Sequence, residues 1–133
     1  MEVVEKEKVL IPKLRFTGFE EGWKLKKLAD VGNIITGNTP STSNPDFYEG
    51  DYLFVSPADI GNSRIVKETK TTLTELGFSK GRKIKKGSVL FVSIGSTIGK
   101  VGIAGRDLIT NQQINSIEAD ENNFNDFIFE ILQ

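Results

Sequence analysis

The chain contains no cysteine and no histidine. Disulfides, thiolate zinc sites, thiol nucleophiles and Ser-His-Asp triads are thereby excluded together, since each requires one of those two residue types. Long apolar runs are also missing. Stretches such as Val89-Leu90-Phe91-Val92 fall far short of the roughly 20 residues that a membrane-spanning helix needs. The first residues include Glu2, Glu5 and Glu7, rather than a basic stretch leading into an apolar one, so no signal peptide is expected here. No membrane association is expected, and the expected compartment is the cytoplasm.

With 133 residues, of which 38% are hydrophobic and 26% charged, the chain is sized for one domain and too short for two well-filled cores. Its net charge of −1 conceals a strong asymmetry. Residues 1–59 hold 7 basic and 10 acidic side chains. Residues 60–106 hold 10 basic against 2 acidic, and residues 107–133 hold 6 acidic and no basic ones. A basic middle in a nearly neutral chain is the pattern expected of a localised polyanion footprint.

Residues 1–11 alternate charged and apolar types without turn signals and read as a leader, either disordered or a weak strand. Leu25, Leu28, Val31 and Ile35 recur three to four apart, which predicts a short amphipathic helix over 25–32. Asn38 to Asp46 is almost wholly turn-forming and predicts a polar surface loop. Strands are predicted at 52–55, more weakly at 64–66, strongly at 89–93, and near 100–104, 108–110 and 114–118. Thr72 and Glu75 have capping-box spacing, with Gly77 suited to the far end, so a short helix is predicted over 72–76. Phe124, Phe127, Ile128, Ile131 and Leu132 give one apolar helical face. That helix ends at Gln133 without a closing glycine, asparagine or cation, as expected of a piece of something longer. Trp23, Phe54 and Phe91 are expected in the core, while Phe47, Tyr48 and Phe78 are the other aromatics that could stack on bases. The fold class expected is α+β: a mixed, mostly antiparallel, irregular sheet with a few short helices and a C-terminal amphipathic one.

Three motifs invite enzymatic readings. Gly95 to Val101 resembles a phosphate loop, but has three residues between the glycines instead of four and Val101 where a magnesium-holding hydroxyl belongs. Asn44-Pro45-Asp46-Phe47 approximates an adenine methyltransferase signature, but no strand with a glycine-rich cofactor loop precedes it. Pro45-Asp46 followed by Glu68-Thr69-Lys70 has the order of a magnesium-dependent nuclease, in which Asp46 and Glu68 would hold the metal and Lys70 would stabilise developing charge. The nuclease is the enzymatic alternative.

Lys80, Arg82, Lys83, Lys85 and Lys86 place five cations in seven positions, a density that neutralises phosphates and makes binding salt-sensitive. Phosphate contacts position a protein, whereas base edges are read by amides, hydroxyls and bidentate cations. Such groups crowd the loops at Asn38, Thr39, Ser41, Thr42, Ser43 and Asn44, at Ser96 and Thr97, and at Asn111, Gln112, Gln113 and Asn115. Each amide could equally cap a turn or bond a neighbouring strand.

Several blocks occur in order: Pro12-Lys13-Leu14-Arg15-Phe16 with Gly18-Phe19 and Trp23; Gly37-Asn38-Thr39-Pro40-Ser41 before Asn44-Pro45-Asp46-Phe47-Tyr48; Val55-Ser56-Pro57-Ala58-Asp59-Ile60; Ser96-Thr97-Ile98-Gly99-Lys100-Val101; and Thr110-Asn111-Gln112-Gln113. With these, residues 12–133 resemble the target recognition domain of a type I restriction-modification specificity subunit. The resemblance implies sequence-specific recognition of part of a split site in double-stranded DNA. It also implies methyltransferase subunits as partners that carry the catalysis, and no cofactor on this chain. Lys100, Asn111 and Gln112 lie in its recurring blocks, which look more like shared scaffold and loop support than like a specificity code, and they are kept among the DNA contacts on that footing. A subunit of that family carries two such domains separated by spacer helices, whereas this chain reads as one domain without them, and two copies could in principle pair as a homodimer to rebuild a two-domain reader. The non-enzymatic alternative is a truncated interaction fragment that no longer binds DNA specifically.

Overall fold

Val89, Leu90 and Val92 are all fully buried although they point alternately to opposite faces of one strand. Only a strand covered on both sides accommodates that pattern, and the architecture follows from it. The computed structural model describes residues 9–133. In chain order the elements are β1 (Val9–Leu10), β2 (Trp23–Lys24), β3 (Gly32–Thr36), β4 (Tyr48–Val55), β5 (Ile65–Val66), β6 (Thr71–Leu73), α1 (Glu75–Ser79), β7 (Val89–Val92), β8 (Val101–Ala104), β9 (Leu108–Thr110), β10 (Ile114–Ala119) and α2 (Asn125–Leu132). Short 3-10 turns lie at Leu28–Asp30, Pro45–Phe47 and Pro57–Asp59.

The strands form three sheets: a ribbon β1-β2, a five-stranded sheet in the order β3-β10-β7-β8-β5, and a three-stranded sheet in the order β6-β4-β9. The pairings are antiparallel except β4 with β9 and β5 with β8, which are parallel. The mixed, mostly antiparallel α+β expectation therefore holds, with the strands divided among separate sheets.

Alternation along the strands builds the layers. Leu53 and Val55 of β4, Leu108 of β9, Leu90 and Val92 of β7 and Ile114 of β10 share one buried cluster between the two larger sheets, with Ile60, Val66 and Ile84. Val89, Ile103 and Ile117 face the other way and pack under Ile128 and Phe129 of α2. Phe54, Leu73 and Ile109 form a third cluster, against Tyr48, Tyr52 and Phe78 of the α1 side. The order of layers is thus α2, five-stranded sheet, three-stranded sheet, α1.

The strands predicted from 52 onward and the C-terminal helix are present, but other expectations are corrected. No helix spans 25–32: Trp23–Lys24 is strand, only Leu28–Asp30 makes a 3-10 turn, and Gly32–Thr36 joins the large sheet. The apolar spacing there marks no single helical face, since Leu25 is 78% exposed while Val31 and Ile35 pack against different buried clusters. The helix predicted over 72–76 begins at Glu75, because Thr71–Leu73 pairs with β4, and its cap is Thr74, whose hydroxyl accepts from the Gly77 amide at 3.2 Å. Gly77 lies inside that helix rather than at its end. A Cβ there would meet the Phe47 carbonyl oxygen at 2.0 Å, so only glycine lets α1 seat on the preceding turn.

Trp23 is not core. It is 53% exposed and stacks on Phe127 of α2, with ring centroids 5.5 Å apart. Phe54 is buried as expected and Phe91 is half-buried. The expected leader lies outside the described residues as far as residue 8; beyond it, Val9 and Leu10 pair with Lys24 and Trp23.

Ser116 occupies the centre of β10, fully buried, and its hydroxyl has no hydrogen-bond partner among the described residues. An unpaired buried hydroxyl costs about 1–3 kcal/mol of desolvation. Ser116→Ala is therefore expected to leave the fold intact and to hold or raise stability, by up to about 1 kcal/mol. Urea unfolding of both proteins measures this, and a loss of stability on substitution would contradict it.

Candidate nucleic-acid interface

The loops that carry the polar blocks meet at one end of the sheet pair. In the large sheet, Thr36 of β3 faces Asn115 of β10, and Ile114 faces Val92 of β7, so the ends of these three strands lie side by side. In the small sheet, Val55 faces Thr110, and the Asn111 amide donates to the Val55 carbonyl at 3.0 Å. Gly37 joins the two groups. Its amide donates to the Ile114 carbonyl at 3.2 Å, and a Cβ at this position would lie 2.1 Å from Thr110 Oγ1 and 2.2 Å from the Asn111 carbonyl oxygen. No residue with a side chain permits that approach.

A polar network covers this end. Thr36 Oγ1 donates to Asn115 Oδ1 at 2.6 Å, and Asn115 Nδ2 donates to Ser93 Oγ at 2.7 Å. Thr39 Oγ1 donates to Gln112 Oε1 at 2.7 Å. Asn111 Oδ1 accepts from the Gln113 amide at 3.0 Å, and its Nδ2 donates to Gln113 Oε1 at 3.2 Å. The turn at Gly95, with φ of +106°, brings the 93–99 loop beside Gln113. Lys100 Nζ donates to the Pro57 carbonyl at 3.3 Å, tying in the loop after β4. Tyr48, whose pKa is raised by burial, donates its hydroxyl to the Pro40 carbonyl at 2.6 Å and pins the 37–44 loop.

The candidate side chains divide by what remains unspent. Asn38 and Asn111 commit their amides internally, Lys100 spends one of its three ammonium donors on the Pro57 carbonyl, and Asn44 caps the following turn by accepting from the Asp46 amide at 3.0 Å. Ser41 and Ser43 bond each other at 2.8 Å while exposed. Gln112 Nε2 and the hydroxyls of Thr42, Ser96 and Thr97 have no partner among the described residues. Thr36 was not singled out from the sequence, although its hydroxyl and carbonyl both anchor the network. Its role depends on the register with Asn115, 79 residues away.

The basic run does not act as one patch. Arg82 Nη1 donates to the Thr36 carbonyl at 2.7 Å, so Arg82 belongs to the network end. Lys85 pairs with Glu118 at 3.4 Å, and Glu118 faces Asn33 at the other end of the β3–β10 ladder. Lys83 pairs with Asp107 at 3.3 Å. Among the described residues, Lys80, Arg82 and Lys86 have no carboxylate partner, and Lys80 Nζ lies 6.0 Å from the centre of the Phe47 ring. Lys80 and Arg82 therefore join the polar loops, whereas Lys85 and Lys86 lie along the flank.

The nuclease triad is not assembled. The Asp46 carbonyl accepts from Thr74 Oγ1 at 2.6 Å at one end of β6, while Glu68 and Lys70 lie beyond the other end of that strand. Among the described residues no group of three acidic side chains could hold a metal ion, and no helix is long and apolar enough to cross a membrane.

Asp107 is held below the ordinary carboxylate range, chiefly by the Lys86 backbone amide at 2.9 Å and then by the Lys83 ammonium. A carboxyl group whose pKa is depressed by folding contributes stability that is present above its unfolded value, near ~3.9, and is lost as pH falls through the folded one. Asp107→Asn is expected to narrow its stability deficit against the unsubstituted protein as pH drops from about 5 to about 2. The effect is small because the pair is solvent-screened. Thermal unfolding across that range tests this, and a pH-independent deficit would contradict it.

Residues 20–133 match the family described as the type I restriction modification DNA specificity domain. The chain is 36% identical over 109 residues to the type I restriction enzyme HindI specificity subunit of Haemophilus influenzae, covering 81% of this chain and 24% of that one. It is 32% identical over 99 residues to the MjaIX specificity subunit of Methanocaldococcus jannaschii, covering 71% and 23%. The chain thus spans about a quarter of the length of these curated relatives. Its fold is similar to that of the HsdS subunit from Thermoanaerobacter tengcongensis, with a TM-score of 0.67 at 19% identity over 91% of this chain and 29% of that one. A chain solved in a study of complex assembly in the type I R-M system gives 0.62 at 19% identity over 79% and 25%.

Proposed function

The chain belongs to the type I restriction modification DNA specificity domain family, and from that premise we propose that it reads one part of a split target site in double-stranded DNA. The observation that carries this reading is the convergence of four loops, 37–44, 56–61, 93–100 and 111–113, at one end of the paired sheets. The same end gathers unspent hydroxyl and amide groups beside three cations, Lys80, Arg82 and Lys100, that no carboxylate among the described residues neutralises. Base edges are read by such groups, while the cations take phosphates.

The recognition unit in this reading is residues 12–133. Thr39, Ser41, Thr42, Ser43, Ser96, Thr97, Gln112 and Gln113 face the bases. Lys80 and Arg82 take the DNA backbone beside the loops, while Lys83, Lys85 and Lys86 add weaker contacts along the flank, two of them already paired with Asp107 and Glu118. Asn44, Asn111 and Lys100 support the loops. The chain has no catalysis of its own in this reading: methyltransferase subunits in a cytoplasmic complex carry the chemistry, and a homodimer would supply the second half-site.

Selection from randomised duplexes at two salt concentrations tests the reading. Enrichment of one short site is the expected result. Uniform salt-sensitive binding would leave only a basic patch, and magnesium-dependent cleavage would favour the nuclease. Lys80→Ala is expected to weaken binding about equally on all sequences and to lower the salt slope by about one. Lys83→Ala should lower it less, because Asp107 already neutralises that ammonium.

A further inference from the structure

Between the end of α1 and Ile84, which bonds Leu108 in both directions, the chain at 80–82 pairs with no strand among the described residues. Asn38 takes that place. Its Nδ2 donates to the Lys80 carbonyl at 3.1 Å, and its Oδ1 accepts from the Arg82 amide at 2.9 Å. One carboxamide thus satisfies a backbone acceptor and a backbone donor two residues apart, as a neighbouring peptide group would. Aspartate lacks the donor, and serine is too short to reach both groups. The Arg82 guanidinium returns to the Thr36 carbonyl, two residues before Asn38, so the start of the polar loop and the start of the basic run are joined at three points.

A side chain whose amide is committed in this way is not free for the bidentate contact by which asparagine reads adenine. We propose that Asn38 is a positioning residue: it holds Lys80 and Arg82 in register with the 37–44 loop, and so sets sequence preference without touching a base. The proposal rests on the DNA-reading function above. It places the determinant of specificity at a joint between two segments, where misplacement by an ångström changes which base edges the flanking hydroxyls meet.

The test uses the full chain, unsubstituted and as Asn38→Ala and Asn38→Asp. Each protein is carried through selection from randomised duplexes, a salt titration on non-specific DNA, and amide hydrogen exchange at Arg82 without DNA. Asn38→Ala is expected to flatten preference at several base positions, with the ratio of specific to non-specific affinity falling roughly tenfold. Non-specific affinity and its salt slope should stay unchanged because both cations remain. The Arg82 amide should exchange faster in the free alanine variant and stay protected in the aspartate variant, which keeps the acceptor.

Relaxed preference at a single base position, or a base swapped at one position by Asn38→Asp, would overturn the proposal, because Asn38 would then be a reader. Equal loss of specific and non-specific binding would also overturn it, as damage to the fold alone, and so would an unchanged preference. No enrichment by the unsubstituted protein would defeat the DNA reading itself, and that result is visible before any variant is compared.

Discussion

Everything at the polar end depends on the apolar seal between the two larger sheets. Leu53, Val55 and Leu108 from one sheet meet Leu90, Val92 and Ile114 from the other, all but fully buried. Removing such side chains from water contributes on the order of 25 cal/mol per Å2, and their dense packing allows little sliding of one sheet over the other. The strand ends are fixed by that contact, and the loops inherit the precision of the strands. Gly37 then exploits it: the Thr110 hydroxyl and the Asn111 carbonyl fill the space that a Cβ would need, and the packed sheets beneath hold them there.

The parts of the fold legible in the sequence were those where composition alone decides. Val89 to Val92 and Tyr52 to Val55 are dense in β-branched and aromatic residues, and no helix would bury them as well. The failures have specific causes. Leu25 and Leu28 recur at helical spacing but join none of the buried clusters, and periodicity without a core to face does not make a helix. Thr72 and Thr74 are both credible caps, and the choice between them is made by β4, which takes Thr71–Leu73 as its partner. A single tryptophan was expected in the core and instead stacks in the open against α2.

The candidate site was legible as a set of residue types but not as an arrangement. Local sequence shows that Asn38, Asn111 and Lys100 are polar and lie in loops. It does not show that the Asn38 amide is taken up by the Lys80 carbonyl and the Arg82 amide, or that Lys100 reaches the Pro57 carbonyl, in each case more than 40 residues away. Charge has the same property. Ten cations over 60–106 read as one footprint, yet Asp107, Glu118, Asp126 and Glu130 from the acidic C-terminal part fold back and pair with Lys83, Lys85 and Arg64. The acidic tail of the charge pattern is thus the counterweight of the basic middle, and what remains unpaired is smaller and more directional than the count suggests.

The exposed stack of Trp23 on Phe127 gives this chain an optical handle. The ribbon of β1 and β2 meets α2 through these rings, outside the three buried clusters, so its attachment has little buried apolar area behind it and should open before the core does. Since the chain has one tryptophan, its emission follows the docking of that ribbon and is nearly blind to the sheets. Fluorescence and circular dichroism would then report two different events in the same molecule.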